Sequence, residues 1–257
     1  MTRVGVLGAA GKMGRVVCAG AASDPDLELV AAVNPGHDGG EIPGVPGVIV
    51  AEKIDALSDA GAEVGVDFTQ PDAVMGNVQW LVDHGIHAVV GTTGIGPQQL
   101  DEIRGWVEGR DVGVIVAPNF SVGAVVGQRL AEEAARFFPA AEVIELHHDQ
   151  KLDAPSGTAA ATARKVAAAR KEAWAGPGGG EAFRGGSVEG VRVHSVRLPG
   201  LVAHHEVIFG AHGQTLTIRH DAPDRTCYLP GVLLAVKEVA RRPGLTVGLE
   251  PLLGLSS

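Results

Sequence analysis

The chain has 257 residues, of which 45% are hydrophobic and only 4% aromatic, and it carries a formal net charge of −9. That length and apolar share allow one large or two modest domains with a sizeable core, while the acidic balance argues against a nucleic-acid surface, which needs a basic face. Cys18 and Cys227 match no metal-ligand or disulfide spacing and no apolar run approaches the ~20 residues of a membrane helix, so the expectation is a cytosolic protein without metal, membrane or nucleic-acid partners.

Arg3 to Leu7 is a short apolar run, followed by Gly8-Ala9-Ala10-Gly11-Lys12-Met13-Gly14 and a helix-forming stretch from Arg15 to Ala22. A strand, a glycine turn and a helix in that order let backbone amides approach a pyrophosphate at the helix N-terminus. The spacing is G-x-x-G-x-x-G rather than G-x-G-x-x-G, so the flanking elements carry as much of the argument as the glycines. Leu27 to Val33 reads as a second strand ending at Asn34-Pro35-Gly36. An acidic residue about 20 positions beyond the glycine turn would bind the ribose hydroxyls of NAD. Asn34 stands in that place; it can still hydrogen-bond a hydroxyl and does not repel a 2′-phosphate. The same tripeptide is also turn chemistry with no ligand role.

His37 to Pro46 is rich in Gly and Pro and is expected to be an irregular loop. Beyond it, strands at Val64–Phe68, His87–Val90 and Val112–Ala117 alternate with helices at Asp72–His84 and Pro97–Glu108. That alternation predicts a doubly wound parallel sheet with its ligands at the carboxyl ends of the strands. Gly8 to Gly14, Asn34, Thr69-Gln70, Gly91 to Thr93 and Ala117 to Phe120 all fall there.

Val122 to Phe138 reads as a long helix and Ala141 to Leu146 as an alternating strand. The stretch Glu145 to Ala159, E-L-H-H-D-Q-K-L-D-A-P-S-G-T-A, then leads into a helix over Ser156–Lys171. Ser156 is its natural N-cap, and the amides of Gly157 and Thr158 open an anion-receptive terminus. Glu172 to Gly190 reads as a loop excursion, either a cover over a site or a disordered segment. Val191–Arg197, Ala203–Phe209 and Gln214–His220 follow as strands joined by short links, so a second, largely antiparallel sheet is expected. A helix over Arg225–Arg241 and a closing run at Leu245–Leu253 end the chain. The predicted division is residues 1–118, 119–224 and 225–257, the last segment returning to the first domain.

His147 and His148 beside Lys151 form the densest chemical cluster. A metal site would need further ligands at suitable spacing, and none is present. The remaining readings are a solvated polar turn and a proton donor for the hydride chemistry that a dinucleotide fold implies. Lys151 either meets a substrate carboxylate, acts as an acid, or pairs with Asp153. A Ser156 hydrolase is disfavoured by the missing G-x-S-x-G elbow. Alternation puts His204 and His205 on opposite sheet faces, where packing is the default role.

V-G-V-L-G-A-A-G-K-M-G-R at Val4–Arg15, D-F-T at Asp67–Thr69, V-G-T-T-G at Val90–Gly94, A-P-N-F-S at Ala117–Ser121 and E-L-H-H with K-x-D-A-P-S-G-T-A closely resemble the dihydrodipicolinate reductase family of bacterial lysine and diaminopimelate synthesis. The resemblance covers essentially the whole chain. It implies an α/β fold with an N-terminal Rossmann-like parallel sheet and a second α+β domain with a mixed sheet. It further implies reduction of 4-hydroxy-tetrahydrodipicolinate, a small dicarboxylate heterocycle, by NADH or NADPH, in a homotetramer. By resemblance His147 donates the proton, Lys151 assists as a second acid or charge partner, and His148, Ser156, Gly157 and Thr158 hold substrate. Gly8, Ala9, Ala10, Gly11, Lys12, Met13, Gly91, Thr92, Thr93, Ala117, Pro118, Asn119 and Phe120 would line the cofactor, with Asn34 at the adenosine end. Another oxidoreductase acting on a semialdehyde or imino acid would share only the cofactor half, and a non-catalytic dinucleotide sensor would lack substrate-dependent turnover.

Overall fold

The computed structural model describes residues 1–37, 39–170 and 184–255. In chain order the elements are β1 (Thr2–Leu7), α1 (Lys12–Ser23), β2 (Leu27–Val33), β3 (Glu41–Ile42), β4 (Val45–Ala51), α2 (Ala56–Asp59), β5 (Val64–Asp67), α3 (Val74–Asp83), β6 (His87–Val90), α4 (Pro97–Val107) and β7 (Gly113–Val116). Then come α5 (Val122–Ala135), β8 (Ala140–His147), α6 (Gly157–Ala168), β9 (Gly186–Val188), β10 (Val191–Arg197), β11 (Ala203–Ala211), β12 (Gln214–Ala222), α7 (Leu229–Glu238) and β13 (Gly244–Val247). Backbone contacts separate two units, Met1–Ser121 with Tyr228–Ser257, and Val122–Cys227.

The first unit is built on a sheet of order β13-β7-β6-β5-β1-β2-β4-β3. All its pairings are parallel except the β3–β4 hairpin. β5, β6 and β7 are almost wholly buried. Helices cover both faces, which is why V-G-V-D, H-A-V-V and G-V-I-V read as continuous apolar runs instead of alternating ones. From β1 the chain moves to β2 on one side and later to β5 on the other, so the order reverses beside β1, where such sheets leave a crevice. Ladder bonds continue one residue past the strands, from Gly8 N to Val33 O (2.9 Å), Phe68 N to Leu7 O (3.1 Å), Gly91 N to Asp67 O (2.9 Å) and Ala117 N to Val90 O (3.1 Å). The loops therefore leave the sheet along one rim.

One expectation needs correction here. The predicted loop at His37–Pro46 contains β3 and the start of β4. Pro46 and Gly47 masked this strand, yet neither takes part in a strand pairing: β4 meets β2 only through Ala32–Val50 and Val33–Ala51, and β3 only through Glu41–Ile49 and Ile42–Val45. In addition, β13 joins β7 in parallel, so the last segment completes the first sheet as well as packing α7 against α1.

The second unit has a sheet of order β12-β11-β8-β10-β9. β8 lies in its middle, antiparallel to β11 and parallel to β10, so β10 and β11 are not neighbours despite their short link. The mixed character thus comes from inserting β8, a long-range pairing that link lengths do not reveal. Residues 172–183 of the predicted excursion lie outside the described residues, and its end is β9, joined to β10 by Glu189 and Gly190 at φ 50° and 84°. Positive φ at both central residues suits the twist of a tight hairpin. α5 and α6 pack on one face around Val143, Val193, Val207 and Phe209.

Gly14, in the first turn of α1, approaches Gly8 so closely that a Cβ there would lie 2.1 Å from the Gly8 carbonyl oxygen. Gly14→Ala should therefore destabilise the first unit by about 1–3 kcal/mol. Gly105→Ala, in open space on α4, should be neutral or stabilising by up to about 1 kcal/mol. Urea midpoints of the two variants check the contrast.

Candidate active site

On the first unit the rim is organised by the glycine turn and by a buried carboxylate. Gly8 has φ +77°, and a Cβ on it would lie 2.4 Å from the Phe68 carbonyl oxygen, so the turns after β1 and β5 touch through bare backbone. Inside the turn most amides are already engaged. Ala9 N donates to Val33 O (3.1 Å), Gly11 N to Gly8 O (3.0 Å) and Ala10 N to the Asn34 side-chain oxygen (3.3 Å). The amides left for an anion are those of the first α1 turn, beginning with Lys12 and Met13. No side chain caps that helix and no acidic residue sits in its first turn. A pyrophosphate fits this cradle, since the dipole is unopposed and no Cβ fills the approach.

Asp67 is fully buried and accepts hydrogen bonds from Thr69 N (3.0 Å), Thr69 Oγ1 (2.8 Å), Thr92 Oγ1 (2.6 Å) and Asn77 Nδ2 (2.8 Å). It therefore ties the turn after β5, helix α3 and the turn after β6 to one point. The Thr92 hydroxyl is consumed in this network, whereas Thr93 and Pro118 are exposed. Asn119 accepts from Ser121 N (2.9 Å), shaping the turn into α5, and buried Phe120 packs its ring 6.0 Å from that of Phe68. Asn34 is likewise occupied, its Nδ2 lying 2.8 Å from His37 Nδ1.

In the second unit the predicted residues converge at the carboxyl end of β8. Glu145 and His147 are two apart on one strand, so they share a face. A carboxylate oxygen of Glu145 takes the Nδ1 hydrogen of His147. Arg197 stands directly beside His147 in the β10–β8 register and grips Glu145 with two parallel bonds of 2.9 and 2.8 Å. Ser156 N also donates to Glu145 (3.2 Å), and the Ser156 hydroxyl caps α6 by accepting from Ala159 N (3.2 Å). Burial by itself would raise the Glu145 pKa, but hydrogen bonds from His147, Arg197, Ser195 and the Ser156 amide outweigh it and hold the carboxyl well below its usual range. Glu145 is thus an ionised acceptor, and the imidazole must present Nδ1–H to it, leaving Nε2 for exchange with a ligand.

Lys151 Nζ pairs with Asp153 at 2.7 Å, one of the alternatives for that residue, and the Lys151 hydrogen bond is the first cause of the lowered Asp153 pKa. The Lys151 amide closes a turn onto His148 O (3.2 Å). Gly157 is exposed with open space around it, so the first α6 turn is accessible to an anion. Glu145 and Arg197 lay outside the predicted set. Glu145 could have been found from its two-residue spacing to His147, whereas Arg197 lies 52 residues from Glu145 and only the register joins them.

His204 and His205 do face opposite ways. His204 pairs with Asp221 (2.6 Å), while His205 stands between Glu145 and His220 in register, its Nε2 buried with no hydrogen-bond partner among the described residues. Burial pushes the His205 pKa down to about 4.

Two family models match the chain, the N-terminus of dihydrodipicolinate reductase over residues 2–120 and its C-terminus over residues 123–253. A protein of Nocardia farcinica named 4-hydroxy-tetrahydrodipicolinate reductase is 54% identical over 260 residues, covering 98% of this chain and 99% of its own. One of Mycolicibacterium gilvum with the same name is 50% identical over 259 residues, covering 99% and 100%. The solved structure of dipicolinate-bound dihydrodipicolinate reductase from Paenisporosarcina superposes with a TM-score of 0.86 at 37% identity, covering 98% of this chain and 99% of that one. GenD2 of gentamicin biosynthesis, solved with NAD, shares the fold alone, at a TM-score of 0.65 and 14% identity over 99% of this chain and 90% of its own. Among the described residues no helix is long and apolar enough to cross a membrane.

His205 makes stability depend on pH in a defined window. Its folded pKa is lowered, so between the unfolded value of 6.5 and about 4 the unfolded chain binds a proton that the folded chain refuses, and stability falls as pH drops through that range. The expected loss between about pH 7 and pH 5 is up to about 2 kcal/mol. His87 and His220, lowered chiefly by burial, act in the same direction. Glu145, also lowered, contributes only below its unfolded value of 4.5. Urea denaturation at the two pH values should show a smaller loss for His205→Gln than for the wild type.

Proposed function

The chain belongs to the dihydrodipicolinate reductase family, and from that premise we infer that its two units divide one reaction between them, the first binding the nicotinamide cofactor and the second the substrate. The reaction is reduction of 4-hydroxy-tetrahydrodipicolinate to tetrahydrodipicolinate. The observation that carries the assignment of roles is the cluster at the end of β8, where a carboxylate-oriented imidazole, an ammonium and an open helix N-terminus share one loop. The name shared by relatives that match end to end supports the reaction, and the dipicolinate bound in one of them supports a planar dicarboxylate ring as the ligand class.

A reduced nicotinamide bound to the first unit would supply the hydride taken up at C4 of the ring once the 4-hydroxyl has left as water, with the displaced electron pair running towards the ring nitrogen. His147 holds the balancing proton at Nε2. Lys151 exchanges its Asp153 partner for a substrate carboxylate and adds positive charge where negative charge develops. The amides of Gly157 and Thr158 bind a ring carboxylate at the start of α6, with His148 as a further polar contact and Ser156 fixing the helix end. In the first unit, the amides of Lys12 and Met13 would hold a pyrophosphate, with Gly8 to Gly11 shaping the turn. Gly91 to Thr93 and Ala117 to Phe120 would line the nicotinamide end.

Both NADH and NADPH serve. Asn34 supports this, because it brings no carboxylate against a 2′-phosphate and binds the turn amide of Ala10 instead. A homotetramer accounts for the sheet face opposite α5 and α6, where Ile144, Leu146, Val196 and Ile208 lie among charged neighbours without a helix over them among the described residues. Cys18 and Cys227 are thiols outside any disulfide, Cys18 buried and pushed up to about 12 by desolvation, which suits the reducing cytoplasm.

The deciding assay follows nicotinamide absorbance with the cyclic substrate generated from pyruvate and aspartate semialdehyde, using NADH and NADPH in parallel. Substrate-dependent oxidation is expected with both; a bound cofactor with no turnover would instead mark a sensor. His147→Gln should lower kcat by about 10²–10⁴-fold with cofactor affinity unchanged, and Lys151→Ala should act mainly on substrate KM. Asn34→Asp should lower the NADPH-to-NADH ratio of kcat/KM by roughly tenfold, equivalent to ~1.4 kcal/mol of added repulsion; an unmoved ratio would remove Asn34 from the adenosine site.

A further inference from the structure

Arg197 does more than neutralise Glu145. Its Nε donates to the Lys151 carbonyl (3.2 Å), one Nη to the Asp153 carbonyl (2.6 Å) and the other to that of Val196 (2.7 Å). Glu145 in turn holds His147 Nδ1 and Ser156 N. Four points of the β8–α6 loop are thus fastened to one pair, the fully buried Glu145 and the half-buried Arg197, at His147, Lys151, Asp153 and Ser156. An ion pair in such a place is a poor device for stability alone, because well-packed apolar residues often replace one at no loss. Apolar side chains could not offer acceptors to an imidazole and a helix amide, nor forked donors to two loop carbonyls.

We propose that Glu145 and Arg197 are a positioning pair for the reductase chemistry: Glu145 sets the tautomer of His147 and the start of α6, and Arg197 sets the placement of the Lys151–Asp153 segment. The proposal rests on the reaction assigned above. It separates two effects: the Glu145 half acts on proton delivery and so on kcat, while the Arg197 half acts on the substrate-holding loop and so on KM.

The test begins with the wild-type protein. Imidazole ¹⁵N NMR, with His147→Gln used only to assign the signal, should show neutral His147 as a single Nδ1–H tautomer. A Nε2–H tautomer, or a mixture of the two, would overturn the proposal without any variant having to fold. Glu145→Gln should disturb the tautomer and lower kcat by roughly 10–10²-fold while leaving the KM for NADH alone, a smaller loss than removing the acid itself. Arg197→Lys, with one ammonium facing several acceptors, should raise substrate KM by roughly tenfold with a lesser effect on kcat. A folded Glu145→Gln enzyme with wild-type kcat would sink the pair while the reductase reading stands. Absence of turnover in the wild type would sink the reading itself.

Discussion

A carboxylate with no access to water must be satisfied from every side, and that requirement at Glu145 shapes the whole second unit. Its oxygens receive an imidazole, a guanidinium fork and a backbone amide, arriving from β8, β10 and the start of α6. None of these donors can be moved without leaving a buried charge uncompensated, which costs several kcal/mol. The mixed sheet is the scaffold this demands. β8 must lie beside β10 for Arg197 to stand next to His147, and the parallel pairing of the two puts both residues at the same strand end.

The first unit solves a similar problem with neutral partners. Asp67 is buried at the end of β5, and its acceptors are filled by hydroxyls, an amide side chain and a backbone N–H, drawn from three separate segments. Parallel strands deliver their following loops to one edge, but they leave those loops individually free; a buried acceptor shared among them makes the edge a single surface. The same economy appears in the glycine turn. Its early amides are already taken by Val33 O, the Asn34 side chain and Gly8 O, which stiffens the turn and leaves the helix terminus as the place where a phosphate can bind.

The two carboxylates differ in what surrounds them, and the difference fits their settings. Asp67 meets only neutral donors at a rim whose task is shape. Glu145 meets an arginine and a histidine, so its charge is met by a guanidinium fork and an imidazole N–H. His205, buried beside it and pushed down to about 4, stays neutral at physiological pH and adds no positive charge to compete for that carboxylate.

Local signals were enough for much of this molecule. Strand, glycine turn and helix at Val4–Arg15, the Ser156 cap, and the alternation of apolar runs with amphipathic helices are each properties of neighbouring residues, so the parallel sheet and the β8–α6 loop could be read from the chain alone. β4 was hidden because Pro46 and Gly47 are loop residues by propensity, and they are tolerated because the strand pairings of β4 pass them by. The insertion of β8 between β10 and β11, the role of β13, and the meeting of Arg197 with Glu145 are decided by pairings between distant segments. Residue type and spacing marked out His147, His148, Lys151 and the start of α6 as candidates. Register determined which groups hold them still, because a hydrogen-bond partner 52 residues away leaves no trace in local sequence.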